Sequence, residues 1–328
     1  MGSHNQRAGL LRRATTALSA FALAAGTVLL AGGTASAQQV IHVSEGGNGT
    51  YLALGDSVAF GYIPPEATPP PNYTDPSSFL SYANYAADAL GLKLTNASCP
   101  GETTASMINT SAISNGCENT LGHPGGYRTA FPLHVKYQGS QLAYAVSYLK
   151  SHPHTRLVTI DIGANDAFVC QEITKDGCTS PTELGAVLNT ITSNLKIIYQ
   201  GIRDQAHYTH ALVAVNYYSL SYQDSPYGQQ SMGLSTLLNR AIDAAGTGFH
   251  VVVANGFGAF AAASANAGGS PCAAGLLVKV PAAASSIPGE DCNIHPSLAG
   301  HQVLAAAILG ALSQHGYEGM PARMGKAA

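Results

Sequence analysis

Five short apolar, β-branched runs, at 51–54, 92–97, 157–162, 211–216 and 250–254, alternate with longer segments whose apolar residues recur at spacings of three and four. Those segments are 77–90, 140–151, 181–206, 227–245 and 297–314. A run of such length fits a strand buried on both faces and is too short for a helix. Strands separated by helices pair in parallel, because each crossover carries the chain back over the sheet. The pattern predicts one α/β domain, a three-layer α/β/α sandwich around a mostly parallel five-stranded sheet. Pro181 suits a first helical turn, and Gly91 and Gly246 suit helix ends.

Residues 1–37 read as a secretory signal peptide. Arg7, Arg12 and Arg13 precede an apolar stretch from Ala20 to Leu30, and Ala35-Ser36-Ala37 forms a small-residue cleavage site. The Arg12-Arg13 pair leaves a twin-arginine route open beside ordinary export, which is preferred. The stretch falls short of the roughly 20 residues that span a bilayer, so no membrane anchor is expected. Residues 38–328 are then a single secreted domain, expected to be monomeric.

Only 10% of the 328 residues are charged, and the net charge is −3 before the three signal-peptide arginines are removed. With no basic stripe, nucleic acid is excluded as a partner. The six cysteines, at 99, 117, 170, 178, 272 and 292, all lie in the exported part. An even count in an exported chain implies disulfides, and of fifteen possible pairings the sequence-local set Cys99–Cys117, Cys170–Cys178 and Cys272–Cys292 is the simplest. Each would contribute about 2–4 kcal/mol. Without a Cys-x-x-Cys pair, and with His207-x-x-His210 lacking a partner cluster, neither metal nor cofactor is expected.

Four segments carry chemistry. The first run stops at Gly55-Asp56-Ser57, where a tight glycine turn holds one hydroxyl at the carboxyl edge of a sheet. Gly101, in Asn96-Ala97-Ser98-Cys99-Pro100-Gly101, follows the second run and brings a backbone N–H close to a ligand. Ile162-Gly163-Ala164-Asn165-Asp166 aims an amide across the same edge, and Asn293-Ile294-His295-Pro296 sets a histidine at a helix entrance, where it serves as a general base. Each alone is an ordinary turn sequence; together they supply a weak nucleophile, its base and oxyanion donors.

In this order the four segments resemble the signature blocks of the SGNH, or GDSL, hydrolases, over nearly the whole exported chain. The resemblance implies a flavodoxin-like α/β/α fold and a serine esterase or lipase that works through an acyl-enzyme. It implies Ser57 as nucleophile, His295 as base, and an oxyanion hole from the Ser57 N–H, the Gly101 N–H and the Asn165 side chain. One position departs from the pattern. The family usually carries an aspartate three residues before the histidine, and here that residue is Cys292, flanked by Asp291 and Asn293. The expectation is a Ser57–His295 dyad whose imidazole is oriented by a backbone carbonyl of this loop, with Asp291 as the other candidate.

The expected substrate is a small-molecule or lipid carboxylic ester. A phospholipid, an acylated sugar, or a silent glycan-binding role on the same fold are the alternatives. Three connections are long, 63–76, 101–138 and 255–293, and Tyr62 just before the first, Tyr73 within it and Tyr127 in the second are read as walls of an acyl channel or a sugar platform. Asp56 and Asp166 are read as turn-holding groups. His123, His134, His152, His154, His250 and His301 are read as surface or capping residues.

Overall fold

The computed structural model describes residues 49–317; residues 1–37, the expected signal peptide, lie outside them. In chain order, β1 (Thr50–Gly55), α1 (Ser57–Phe60), α2 (Tyr82–Leu90) and β2 (Lys93–Asn96) lead to α3 (Thr104–Ile108). A small hairpin follows, β3 (Asn119–Thr120) with β4 (His123–Pro124), and then α4 (Tyr127–Ala130), α5 (Gln141–Ser151) and β5 (Thr155–Asp161). The rest of the chain forms α6 (Ala164–Ile173), α7 (Pro181–Gln200), β6 (Ala211–Val215), α8 (Pro226–Gly246) and β7 (Val251–Ala254). It ends with α9 (Gly256–Ser264), β8 (Leu277–Lys279), β9 (Cys292–Pro296) and α10 (Leu298–Gln314).

The central sheet has five strands in the order β2-β1-β5-β6-β7, all parallel. Every residue of β6, and all of β1 after Thr50, is buried, which is why these runs read as unbroken apolar stretches. Helices α2, α9 and α10 pack together on one face, and α5, α7 and α8 cover the other. The strand order reverses between β1 and β5, and the crevice outside their carboxyl ends is where such sheets carry their sites.

The ends of the helices follow local chemistry. Ser81 starts α2 with a capping box closed by Asn84, later than the expected start at 77, and Pro76–Ser78 forms a separate 3₁₀ turn. Gly91 closes α2 at φ +63°. Gly246, expected to end α8, is instead its last helical residue, with Thr247 as the cap. The connections expected to be long loops hold structure: 101–138 contains α3, α4 and the hairpin, and 255–293 contains α9 and β8.

All three sequence-local cysteine pairs are bonded, with Cα separations of 5.7 Å for Cys99–Cys117, 5.5 Å for Cys170–Cys178 and 5.9 Å for Cys272–Cys292. Among the described residues no helix is long and apolar enough to cross a membrane.

Candidate active site

The turn after β1 is built by close approach of two strands. Gly55 sits at φ +133°, and a Cβ there would lie 2.1 Å from the Asp161 carbonyl oxygen of β5, so only glycine fits. Asp56 then donates its N–H to that same oxygen at 3.0 Å, and its Oδ1 accepts from Val58 N–H at 2.9 Å, capping α1. This leaves Ser57 as the first helical residue, at the rim of the crevice. The Asp56 carboxyl is buried, accepts from the Tyr217 hydroxyl at 2.5 Å, and is pushed up to about 7 by burial. Its turn-holding role therefore extends to Tyr217. From behind, the Gln141 amide clamps Gly55, accepting from its N–H at 2.6 Å and donating to its carbonyl at 3.0 Å.

His295 lies on β9, which is anchored by the Cys272–Cys292 disulfide and paired with β8. Its Nε2 stands 2.9 Å from Ser57 Oγ, and its Nδ1 stands 2.5 Å from the side-chain Oδ1 of Asn293. The His295 N–H also donates to Oδ1, at 3.2 Å, which identifies that atom as the acceptor. Nδ1 therefore carries the proton, and Nε2 is free to accept from the serine hydroxyl.

The expected backbone carbonyl is corrected by this geometry: the orienting group is the Asn293 side chain. In a strand, residues two apart share a face, so 293 and 295 point together. The adjoining Ile294 carbonyl accepts instead from the Tyr218 hydroxyl at 2.6 Å. Asp291 lies before β9 and is exposed, and its contact is a backbone one, its carbonyl accepting from Val280 N–H at 3.1 Å.

A neutral amide fixes the tautomer but lends no charge to the imidazolium, and the protein packed about the ring pushes the His295 pKa down to about 4. With His295 acting as a general base, competent only when neutral, kcat/KM is expected to rise through an acid limb near pH 4 and to stay high toward neutral pH. Asn293→Asp places a carboxylate on Nδ1, favours the imidazolium, and is expected to move that limb upward by one to two pH units, roughly the effect of a close opposite charge. A pH–rate profile of the two proteins checks this; an unshifted limb would show that residue 293 does not act on the base.

The remaining donors converge from two other loops. Gly101 sits at φ +82°, where a Cβ would lie 2.6 Å from the Asn115 carbonyl oxygen. Its loop is tied down by Cys99–Cys117 and by the Asn115 N–H, which donates to the Gly101 carbonyl at 2.8 Å. Asn165, the second residue of α6, is buried; its Oδ1 accepts from Asn115 Nδ2 at 2.9 Å, and its Nδ2 donates to Asp56 Oδ2 at 3.3 Å. One N–H of that amide is left for a ligand. The sequence reading missed Asn115, whose only local signal is an Asn-Gly pair in a loop. The Asp166 carboxylate accepts from the Thr104 N–H at 2.9 Å and from the Thr104 hydroxyl at 2.5 Å, joining α6 to α3.

Ser57, Gly101, Asn165 and His295 all border one cavity of about 430 Å³. Away from them its wall is apolar, with Phe168 of α6, Val187 and Leu188 of α7, and Leu234 and Leu238 of α8. Its lining holds no lysine or arginine. The other histidines do not reach it, and His301, expected at the surface, is buried on α10 with both ring nitrogens unpartnered among the described residues. Burial pushes its pKa down to about 3, so it stays neutral.

A doubly wound sheet with a serine–histidine pair at its switch point, opening on an apolar cavity, defines a class: the carboxylic ester hydrolases. The chain matches the model of the GDSL-like lipase/acylhydrolase family over residues 53–303, and it belongs to that family. Similar solved structures include phospholipase A1 from Streptomyces albidoflavus NA297, with TM-score 0.50 and 17% identity over 80% of this chain and 99% of that one. An acetylxylan esterase from Geobacillus stearothermophilus has TM-score 0.49 and 15% identity over 84% of this chain and 97% of that one. The extracellular lipase of Streptomyces rimosus has TM-score 0.48 and 18% identity over 80% and 99%. At 17% identity the first likeness is one of fold. No curated protein matches the chain in sequence.

Proposed function

We propose that the protein is a secreted serine esterase of lipase type, cleaving carboxylic esters of extended acyl chains through an acyl-enzyme. The observation that carries this reading is the 2.9 Å contact between His295 Nε2 and Ser57 Oγ at the edge of the apolar cavity. His295 takes the serine proton as Ser57 Oγ attacks the ester carbonyl, and Asn293 holds the ring in the accepting tautomer. The Ser57 and Gly101 N–H groups and the Asn165 amide receive the oxyanion. The Nε2 proton then passes to the leaving alcohol, and water deacylates the enzyme by the same route. Three disulfides support an oxidising, extracellular setting.

A silent glycan-binding module gives no reason for a base against Ser57, and a fluorophosphonate separates the two readings by labelling only an activated serine. The acyl assignment is tested with p-nitrophenyl esters from acetate to palmitate. Each methylene entering an apolar channel is worth about 0.8 kcal/mol, so kcat/KM is expected to rise roughly fourfold per CH₂ until the channel is full. A Leu188→Trp variant, which narrows the wall, is expected to move the optimum to shorter chains. A flat profile from acetate to octanoate would overturn the channel.

A further inference from the structure

We propose that Tyr62 and Tyr127 form the subsite for the leaving alcohol and select a neutral alcohol that presents a ring face. The inference rests on the acyl-enzyme reading above and extends it to the other half of the ester. In acylation the Ser57 Oγ–carbon bond forms, the carbon–oxygen bond to the alcohol breaks, and the serine proton reaches that alcohol oxygen through His295 Nε2. The leaving oxygen therefore lies within hydrogen-bond reach of Nε2. The side chain packed on the imidazole borders the group attached to it.

That side chain is Tyr62, whose ring centroid is 4.9 Å from the His295 ring. Its position is set by the nucleophile turn itself: the Tyr62 N–H donates to the Ser57 carbonyl at 2.9 Å, just after the left-handed cap Gly61. Phe79 lies parallel to its ring at 6.4 Å, and Tyr73 and Tyr127 surround it at 6.0 and 6.1 Å. Tyr127 enters from α4, whose first N–H bonds the Gly116 carbonyl beside Asn115. Tyr62 and Tyr127 both line the cavity, on elements separate from the apolar wall of α6, α7 and α8.

Two features define the alcohol. A rigid aromatic wall favours a ring face, whether an aryl ring or the C–H face of a pyranose. The absence of lysine and arginine from the lining leaves a phosphate-bearing alcohol without a counter-charge, so the group is neutral.

The test holds the acyl group constant, comparing benzyl, 6-O-glucosyl and ethyl octanoates, whose alcohols are alkyl alkoxide leaving groups of similar chemistry. With the wild-type protein the benzyl ester is expected to exceed the ethyl ester about tenfold in kcat/KM, the scale of one aromatic contact. The glucosyl ester distinguishes the two sources of a ring face: a matching gain extends the site to pyranosides, and no gain confines it to aryl alcohols. In Tyr62→Leu the benzyl-to-ethyl ratio is expected to fall to near one, and in Tyr62→Phe to persist. Equal kcat/KM for all three esters in the wild type, or loss of the ratio in Tyr62→Phe, would overturn the subsite alone. No turnover of any ester would overturn the hydrolase reading and the subsite with it.

Discussion

Replacing Ser57 by alanine is expected to lower kcat on p-nitrophenyl octanoate by about 10⁴–10⁶ and to abolish fluorophosphonate labelling. The size follows from the geometry. Among the described residues Ser57 Oγ is the one hydroxyl bonded to His295 Nε2, so its loss removes the covalent route and leaves only the oxyanion donors to polarise a carbonyl for water. The fold should not change, because the turn is held by other atoms: Asp56 on Val58 and Asp161, Tyr217 on Asp56, and Gln141 on Gly55. Circular dichroism and thermal melting should match the wild type. Turnover and labelling that survive Ser57→Ala would remove this serine from the mechanism.

Asn165→Ala is the second large effect, expected at 10²–10³ in kcat with KM little changed, because the donor engages charge that develops only in the transition state. Two neighbours make the side chain more than a loop amide. Asn115 takes its oxygen and Asp56 its nitrogen, so the amide cannot flip and one N–H stays directed to a ligand. Asn115→Leu is accordingly expected to cost part of the same effect, since it removes the bond that holds the amide oxygen. A kcat for Asn165→Ala equal to the wild type would show that the hole is formed by backbone N–H groups alone.

The difference between what was legible and what was not runs along contact distance in the chain. Strand and helix character depends on residues within a few positions, so β6 and α8 were readable from their apolar spacing. Ser57, Gly101, Asn165 and His295 were readable for a related reason: each sits where a strand or loop ends in a turn of recognisable residue type. Their meeting joins residues far apart, with 238 positions between Ser57 and His295 and 86 between Gly55 and Gln141. The partner of His295 was misread because the choice among Asp291, Asn293 and a carbonyl depends on which face of β9 each presents, and pairing with β8 and the Cys272–Cys292 bond set that face.

His301 shows the same limit. It is the fourth residue of α10, and nothing local tells that its face packs inward beside Tyr82. The amino-acid sequence alone determined a parallel α/β sandwich, because periodicity is a property of short segments, and through turn chemistry and the family resemblance it pointed to Ser57, Gly101, Asn165 and His295 as the candidate site. The tertiary structure decided that the Asn293 side chain meets His295 Nδ1, that Asn115 and Asp56 hold the Asn165 amide, and that Tyr62 packs against the His295 ring at a steep tilt, because each depends on a register or strand face that only packing sets.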